Sequence, residues 1–178
     1  EHPEWMSEEV NRSGALYNGS DKGRIYRISL KGSSAPDWMK LLKGKTYQPE
    51  QLVALLAHKN IWWRRTAQRL LSDRRGSYSA ELLSHFVDTT RSATGYVHAL
   101  WLLEDRDALQ PGPVLKGLGH PVAGVRENAI RVAERHLKEW PDVRSKLLAM
   151  GGDTDPHVRF QLLCSLGELQ DRQVADLR

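Results

Sequence analysis

Residues 58–71, HKNIWWRRTAQRLL, return in weakened form at 120–133 as HPVAGVRENAIRVA and at 153–166 as DTDPHVRFQLLCSL. Aligning Leu71, Leu103, Ala133 and Leu166 gives intervals of 32, 30 and 33 residues. Self-similarity at such a period marks a stack of helical hairpins, each unable to bury its apolar face alone. Trp63, Ala67, Leu70 and Leu71 are spaced i, i+4, i+7 and i+8, which places them on one face of an α-helix. The same slots hold Gly95, Ala99, Leu102 and Leu103, then Val125, Ala129, Val132 and Ala133, then Val158, Leu162, Ser165 and Leu166. One slot after the first of each set stand Arg64, Tyr96, Arg126 and Arg159, so the second repeat breaks an otherwise basic rung, with His98 nearby. The fold class this predicts is all-α, an α/α superhelix of about four repeats with a short N-terminal β segment.

Inner helices are expected at 60–73, 93–104, 122–137 and 156–169. Outer helices are expected at 49–57, 78–90, 107–118 and 139–150, opened by Pro49, Ser77, Pro113 and Pro141. Residues 1–32 differ in kind. The NGSDKG run supplies turn chemistry, and Tyr26, Ile28 and Leu30 alternate with Arg27 and Ser29 as on a half-buried strand. Residues 33–48 form a connector in which Ser34 or Asp37 caps a short helix through Leu42, ended by Gly44. The repeats occupy 49–178. The opening EHPEWMSEEV carries no secretory pattern, and DRQVADLR reads as the first turns of a helix lacking its partner, so a piece of a longer polypeptide is expected.

Hydrophobic residues make up 40% and charged residues 27% of the 178, proportions of an ordinary globular chain, with no apolar run long enough to span a bilayer. The net charge of +4 falls short of a dense cationic tract, which argues against nucleic acid as the partner. Cys164 is the only cysteine, which excludes an internal disulfide and a multi-cysteine zinc site. Within FQLLCSLGEL it reads as a buried, inert thiol. The seven histidines show no metal-binding spacing, GGDTDP at 151–156 lacks the parts of a phosphate loop, and no catalytic or metal residues are assigned.

The candidate interaction surface comprises Trp62, Arg64, Arg65, Gln68, His98, Arg126 and Arg159. Trp62 and Arg65 point away from the Trp63 face and could form an aromatic and cationic platform; alternatively, both tryptophans fill the end of the first repeat. Arg65 and Arg69 share a face at i, i+4, and Asp73 is the economical partner for Arg69. His98, Trp101, Glu104 and Asp105 could be pictured as an acid/base group, but nothing in the sequence completes it with a nucleophile or an oxyanion hole.

The pattern Asp153, Asp155, Pro156, Val158, Arg159 resembles the HEAT repeat and its bilin-lyase-like relatives. That resemblance implies an Asp six residues before the Arg, pairing with it or with its neighbour across the stack; His58 and His120 take that place before Arg64 and Arg126. The order EHPEW, DKGRIYRI, WWRRTAQRLL, HALWLLE, DPHVRFQLLCSLGEL is similar to the HEAT-repeat region of large membrane-bound-type dehydrogenases of planctomycete and verrucomicrobial bacteria. It implies a β-propeller ending within residues 1–32, helical repeats, and often a c-type haem domain. Haem and quinone would lie in other domains, with no cofactor in this chain, and the setting would be periplasmic or extracytoplasmic. The implied role is a non-catalytic, monomeric scaffold that docks domains of the same polypeptide. The alternatives are a HEAT-like DNA-binding protein or alkylpurine DNA glycosylase, and a carbohydrate-binding module suggested by the six tryptophans.

Overall fold

The computed structural model describes residues 3–14 and 47–167, with positions 19, 22, 23, 31 and 32. The chain divides into two compact units, Glu1–Lys45 and Thr46–Arg178. In the first, a 3-10 turn at Pro3–Trp5 precedes α1, Glu8–Ser13. The segment expected to be β is therefore helical at its start. The cause is local: the Ser7 hydroxyl accepts from the Val10 N–H, Glu8 pairs with Arg12 at 2.6 Å, and Gly14, at φ 63°, stops the helix in the left-handed region. The expected strand at Tyr26, Ile28 and Leu30, and the connector helix capped by Ser34 or Asp37, lie outside the described residues.

Among the described residues of the second unit every element is helical, in four successive pairs. These are α2 Pro49–Leu55 with α3 Ile61–Asp73, α4 Ala80–Thr89 with α5 Ala93–Asp105, α6 Pro111–Leu118 with α7 Ala123–Ala133, and α8 Pro141–Leu148 with α9 Pro156–Gly167. Proline opens α2, α6, α8 and α9, where its missing N–H costs no helical bond. Pro111 rather than Pro113 opens α6, and α4 starts at Ala80 rather than near Ser77, each a shift of two or three positions. Beyond Ala133 the expected long helix tightens into a 3-10 turn, Glu134–His136.

Each inner helix packs on the next, α3 on α5, α5 on α7 and α7 on α9. The outer helices follow the same order, α2 on α4, α4 on α6 and α6 on α8. Apolar side chains from all eight join one core that includes Leu52, Leu71, Leu83, Leu103, Ile130, Leu147 and Leu166, each at most 1% exposed. Burying each such side chain contributes about 1.5–3 kcal/mol before conformational entropy is subtracted. Two glycines mark where backbones come closest. A Cβ on Gly95 would lie 3.2 Å from both the Leu56 carbonyl oxygen and Ala57 Cα, and one on Gly117 would lie 2.9 Å from Ala129 Cβ.

One device recurs at the entrance of every inner helix. A side chain accepts a hydrogen bond from the backbone N–H two residues later: His58 from Asn60 at 3.0 Å, Thr90 from Ser92 at 3.1 Å, His120 from Val122 at 3.1 Å and Asp153 from Asp155 at 2.9 Å. Such turns hold the chain in the geometry from which a helix starts. In the three repeats with a basic rung, the arginine then reaches back to the carbonyl of that same residue. Arg64 meets the His58 oxygen at 2.7 Å, Arg126 the His120 oxygen at 2.9 Å and Arg159 the Asp153 oxygen at 2.6 Å. Histidine serves in the aspartate slot because the turn requires only an acceptor there.

Candidate functional site

The inner helices carry all seven candidate surface residues, and the structure gives them different roles. Trp63 is 7% exposed, packed edge-on against Tyr47 with centroids 6.2 Å apart and tilted against His58 at 6.0 Å. Trp62 is 49% exposed and stands at 88° to Trp63, with centroids 4.9 Å apart. The pair is thus divided, with one indole in the core and the other lying on it and open to solvent.

Arg64, Arg126 and Arg159 turn back onto their own lead-in turns rather than outward. Arg64 also bonds the Lys59 carbonyl at 2.9 Å, and its Nε is buried without an acceptor. Arg126 is the most tightly held. Its Nε and Nη2 donate to the two Asp153 carboxylate oxygens at 2.8 and 2.7 Å, and its Nη1 also reaches the Pro121 carbonyl at 3.1 Å. The two side chains are 13% and 10% exposed. This fork-to-fork pair joins α7 to the turn before α9. The hydrogen bonds from Arg126 hold the Asp153 carboxyl below its ordinary range, and the guanidinium is correspondingly harder to deprotonate.

The residues that could have been pictured as an acid/base group are instead bonded across neighbouring inner helices. His98 Nδ1 lies 2.6 Å from Gln68 Oε1, joining α5 to α3. The Trp101 indole N–H donates to Asn128 at 2.9 Å, joining α5 to α7. Glu104, with its side chain 7% exposed, meets His136 at 2.7 Å and Arg135 at 3.4 Å. Asp105 accepts from the Ser72 hydroxyl at 2.7 Å. One helical pair later Glu134 accepts from Gln161 and Ser165. Ser72, Glu104 and Glu134 occupy one register column. That polar column was the signal in the sequence for the bonds to Asp105, His136 and Gln161.

Where Arg64, Arg126 and Arg159 close their turns, Tyr96 does something else. It is 2% exposed, and its hydroxyl donates to the Pro113 carbonyl at 2.6 Å, joining α5 to α6 of the next pair. Burial first, with the nearby Asp88 charge second, pushes the phenol up to about 12.

Four of the candidates cluster. Arg64 and Arg65 act electrostatically on His98, which Gln68 holds, while Arg126 and Arg159 sit on separate rungs. Burial chiefly, and then those two cations, lower the His98 pKa, so the imidazole is neutral at neutral pH. Beside it an open groove of about 240 Å³ runs between α5 and α7, lined by Ala93, Thr94, Val97, His98, Val122 and Asn128 among others. It exists because the register slot filled by Trp62 in the first repeat holds Thr94 and Gly124 in the next two. Arg69 pairs with Asp73 at 3.7 Å, both well exposed, the intrahelical partner expected.

Cys164 is exposed, contrary to the expectation of a buried thiol. An apolar run on a helix turns only part of itself inward, and here Leu162, Ser165 and Leu166 face the core. Among the described residues no group of three or more His, Cys, Asp or Glu side chains is placed to hold a metal ion, and no helix is long and apolar enough to cross a membrane. The arrangement offers a shallow, mainly apolar recess with a neutral imidazole on its wall and cations beyond it. Such a surface can bind a side chain by shape and charge. Comparison with protein-family models, curated proteins and solved structures finds no match to this chain.

Proposed function

We propose that residues 49–178 form a HEAT-like α-solenoid that acts as a non-catalytic scaffold and docking module in a larger bacterial dehydrogenase-like protein. The observation that carries this reading is the repeated entrance turn and its returning arginine at His58/Arg64, His120/Arg126 and Asp153/Arg159. A device used three times to start a helix, with α3 and α7 then packing on the next pair, suits a quasi-one-dimensional stack held by nearest-neighbour contacts. The polar side chains best suited to acid/base work are bonded between helices, so they favour a structural role over a chemical one. Arginines tied to backbone carbonyls and to Asp153 likewise lend little to a cationic DNA groove.

On this reading residues 1–32 lead out of a β-propeller, haem and quinone belong to other domains of the same polypeptide, and the setting is extracytoplasmic. The docking surface is the recess between α5 and α7, with His98 on its wall, Arg65 acting on His98, and Trp62 in the register slot that Thr94 and Gly124 fill there. The test is isothermal titration of the chain with the separately produced propeller and haem domains of its parent polypeptide. Binding to either should be weakened by Val122→Asp, an exposed position that leaves the fold intact. Absence of binding to both domains, or binding indifferent to Val122, would refute the docking role.

A further inference from the structure

In the two middle pairs the residue after the first inward position reaches the following pair: Tyr96 bonds Pro113 of α6, and Arg126 bonds Asp153. Four residues further on, Gln68 bonds His98 of the next inner helix, and Leu100 lies 3.7 Å from where a Cβ on Gly117 of α6 would stand. In that column Leu100 and Ile130 are 0% exposed, because another pair covers each of them.

The same column on α9 holds Leu163, which is 45% exposed, and Phe160 beside it is 69% exposed. Arg159, the counterpart of Arg126, spends Nη1 on its own turn and makes no carboxylate pair among the described residues. The forward face of α9 thus repeats the apolar and cationic elements of the α7 face, minus what covers them. Solvent exposure of two large apolar side chains side by side is costly unless a partner removes them from water.

We infer that the edge of α9 formed by Arg159 and Leu163, flanked by Phe160, is a docking face for one further α-helical pair, whose entrance turn brings a carboxylate to Arg159. This rests on the stacked-repeat reading above. The occupant is specified by continuity with the α7–α9 interface. It must be helical to lie along α9, apolar where it meets Leu163, and acidic where Asp153 meets Arg126.

The test extends the complete chain directly after Arg178 by a second copy of the α8–α9 pair, residues 141–167. Cys164 is changed to serine in both copies, and the original Leu163→Cys supplies the one thiol. Leu163 is the reporter position because it is 45% exposed and shares the column of Leu100 and Ile130, which the following pair buries. Alkylation at Leu163→Cys should slow by at least about tenfold in the extended chain, since a docked edge reacts only when it opens. Asp153→Asn in the copy should restore the rate, and Leu163→Asp should leave the melting of the unextended chain almost unchanged. An extended chain whose Leu163→Cys thiol stays fully reactive overturns the inference, as does equal protection with the Asp153→Asn copy. So does an unextended chain that already protects that thiol by self-association, read as a rate that rises on dilution. The two readings fail separately. If Ile130→Ala leaves the unextended chain as stable as before, the stack itself is wrong; if it destabilises while the extension does not dock, only the α9 face is.

Discussion

Replacing Asp153 by alanine removes three contacts at once: the two charge-assisted bonds to Arg126, at 2.8 and 2.7 Å, and the acceptor for the Asp155 N–H at 2.9 Å. Breaking a buried ion pair from one side costs about 3–5 kcal/mol, because the surviving charge is stranded. Here the lower end applies. The Arg126 side chain keeps 13% exposure, so water reaches it, and its Nη1 retains the His120 and Pro121 carbonyls. A loss of about 3 kcal/mol is expected, which for a chain of this size lowers Tm by roughly 6–12 °C. Because the pair joins α7 to the turn before α9, amide exchange in α9 should accelerate before that in α3 or α5. The pH dependence has a definite sign. Asp153 has a folded-state pKa below its unfolded value, so its contribution is present in full above the ordinary carboxylate range and disappears as pH falls through the depressed value. The gap between wild type and variant should therefore be constant near neutrality and close in acid. Urea denaturation followed by circular dichroism across that pH range measures both quantities. A gap under about 0.5 kcal/mol at neutral pH, the scatter of ordinary surface substitutions, would refute the assignment of this pair as a strut, as would an unchanged gap in acid.

Gly117→Ala puts a methyl 2.9 Å from Ala129 Cβ and 3.3 Å from Tyr96 Cε1. Overpacking of about 1–3 kcal/mol should outweigh the helix-propensity gain of about 1 kcal/mol, and Ala129→Gly in the same chain should recover most of the loss in a urea titration. Tyr96→Phe should cost about 1 kcal/mol through the lost bond to Pro113 and abolish the phenolate absorbance step expected of the wild type at about pH 12. Because the folded phenol titrates above its unfolded value, its share of stability is complete below the ordinary phenol range and is lost as pH rises through that point. Ala129→Asp introduces a charge at a site 0% exposed and should unfold at least the third pair, detected as loss of helical signal at neutral pH; a variant melting like wild type would contradict the register.

Much of the helical stack is legible in the sequence. The inward columns from Trp63, Gly95, Val125 and Val158 land on the core, apart from half-buried Leu70, since helical period alone decides which side of a helix is apolar. Helix ends are legible where proline or a capping side chain sets them, as at Pro49, Asn60, Ser92 and Pro156, and shift where they depend on packing, as after Ala133. The helix at Glu8–Ser13 is also written locally, in Ser7 and Gly14, ahead of a turn-rich stretch whose pattern is that of β structure.

The candidate surface was less legible. Sequence spacing identified the recurring arginines but not their direction, because an extended guanidinium reaches equally well for solvent, for its own turn or for a neighbouring carboxylate. The choice is made by the lead-in carbonyl six residues before each one, and for Arg126 by Asp153, 27 residues away on the next pair. His98, Trp101, Glu104 and Asp105 were recognisable as polar and close together, yet their partners Gln68, Asn128, His136 and Ser72 lie 27 to 33 residues off. The sequence by itself determined the helices, their period and their buried faces, since these follow from local propensity and the geometry of a single helix. Only the tertiary structure decided which polar groups bond across the stack, where the groove opens between α5 and α7, and that Leu163 is exposed where Leu100 and Ile130 are buried. Those outcomes depend on how one pair sits on the next.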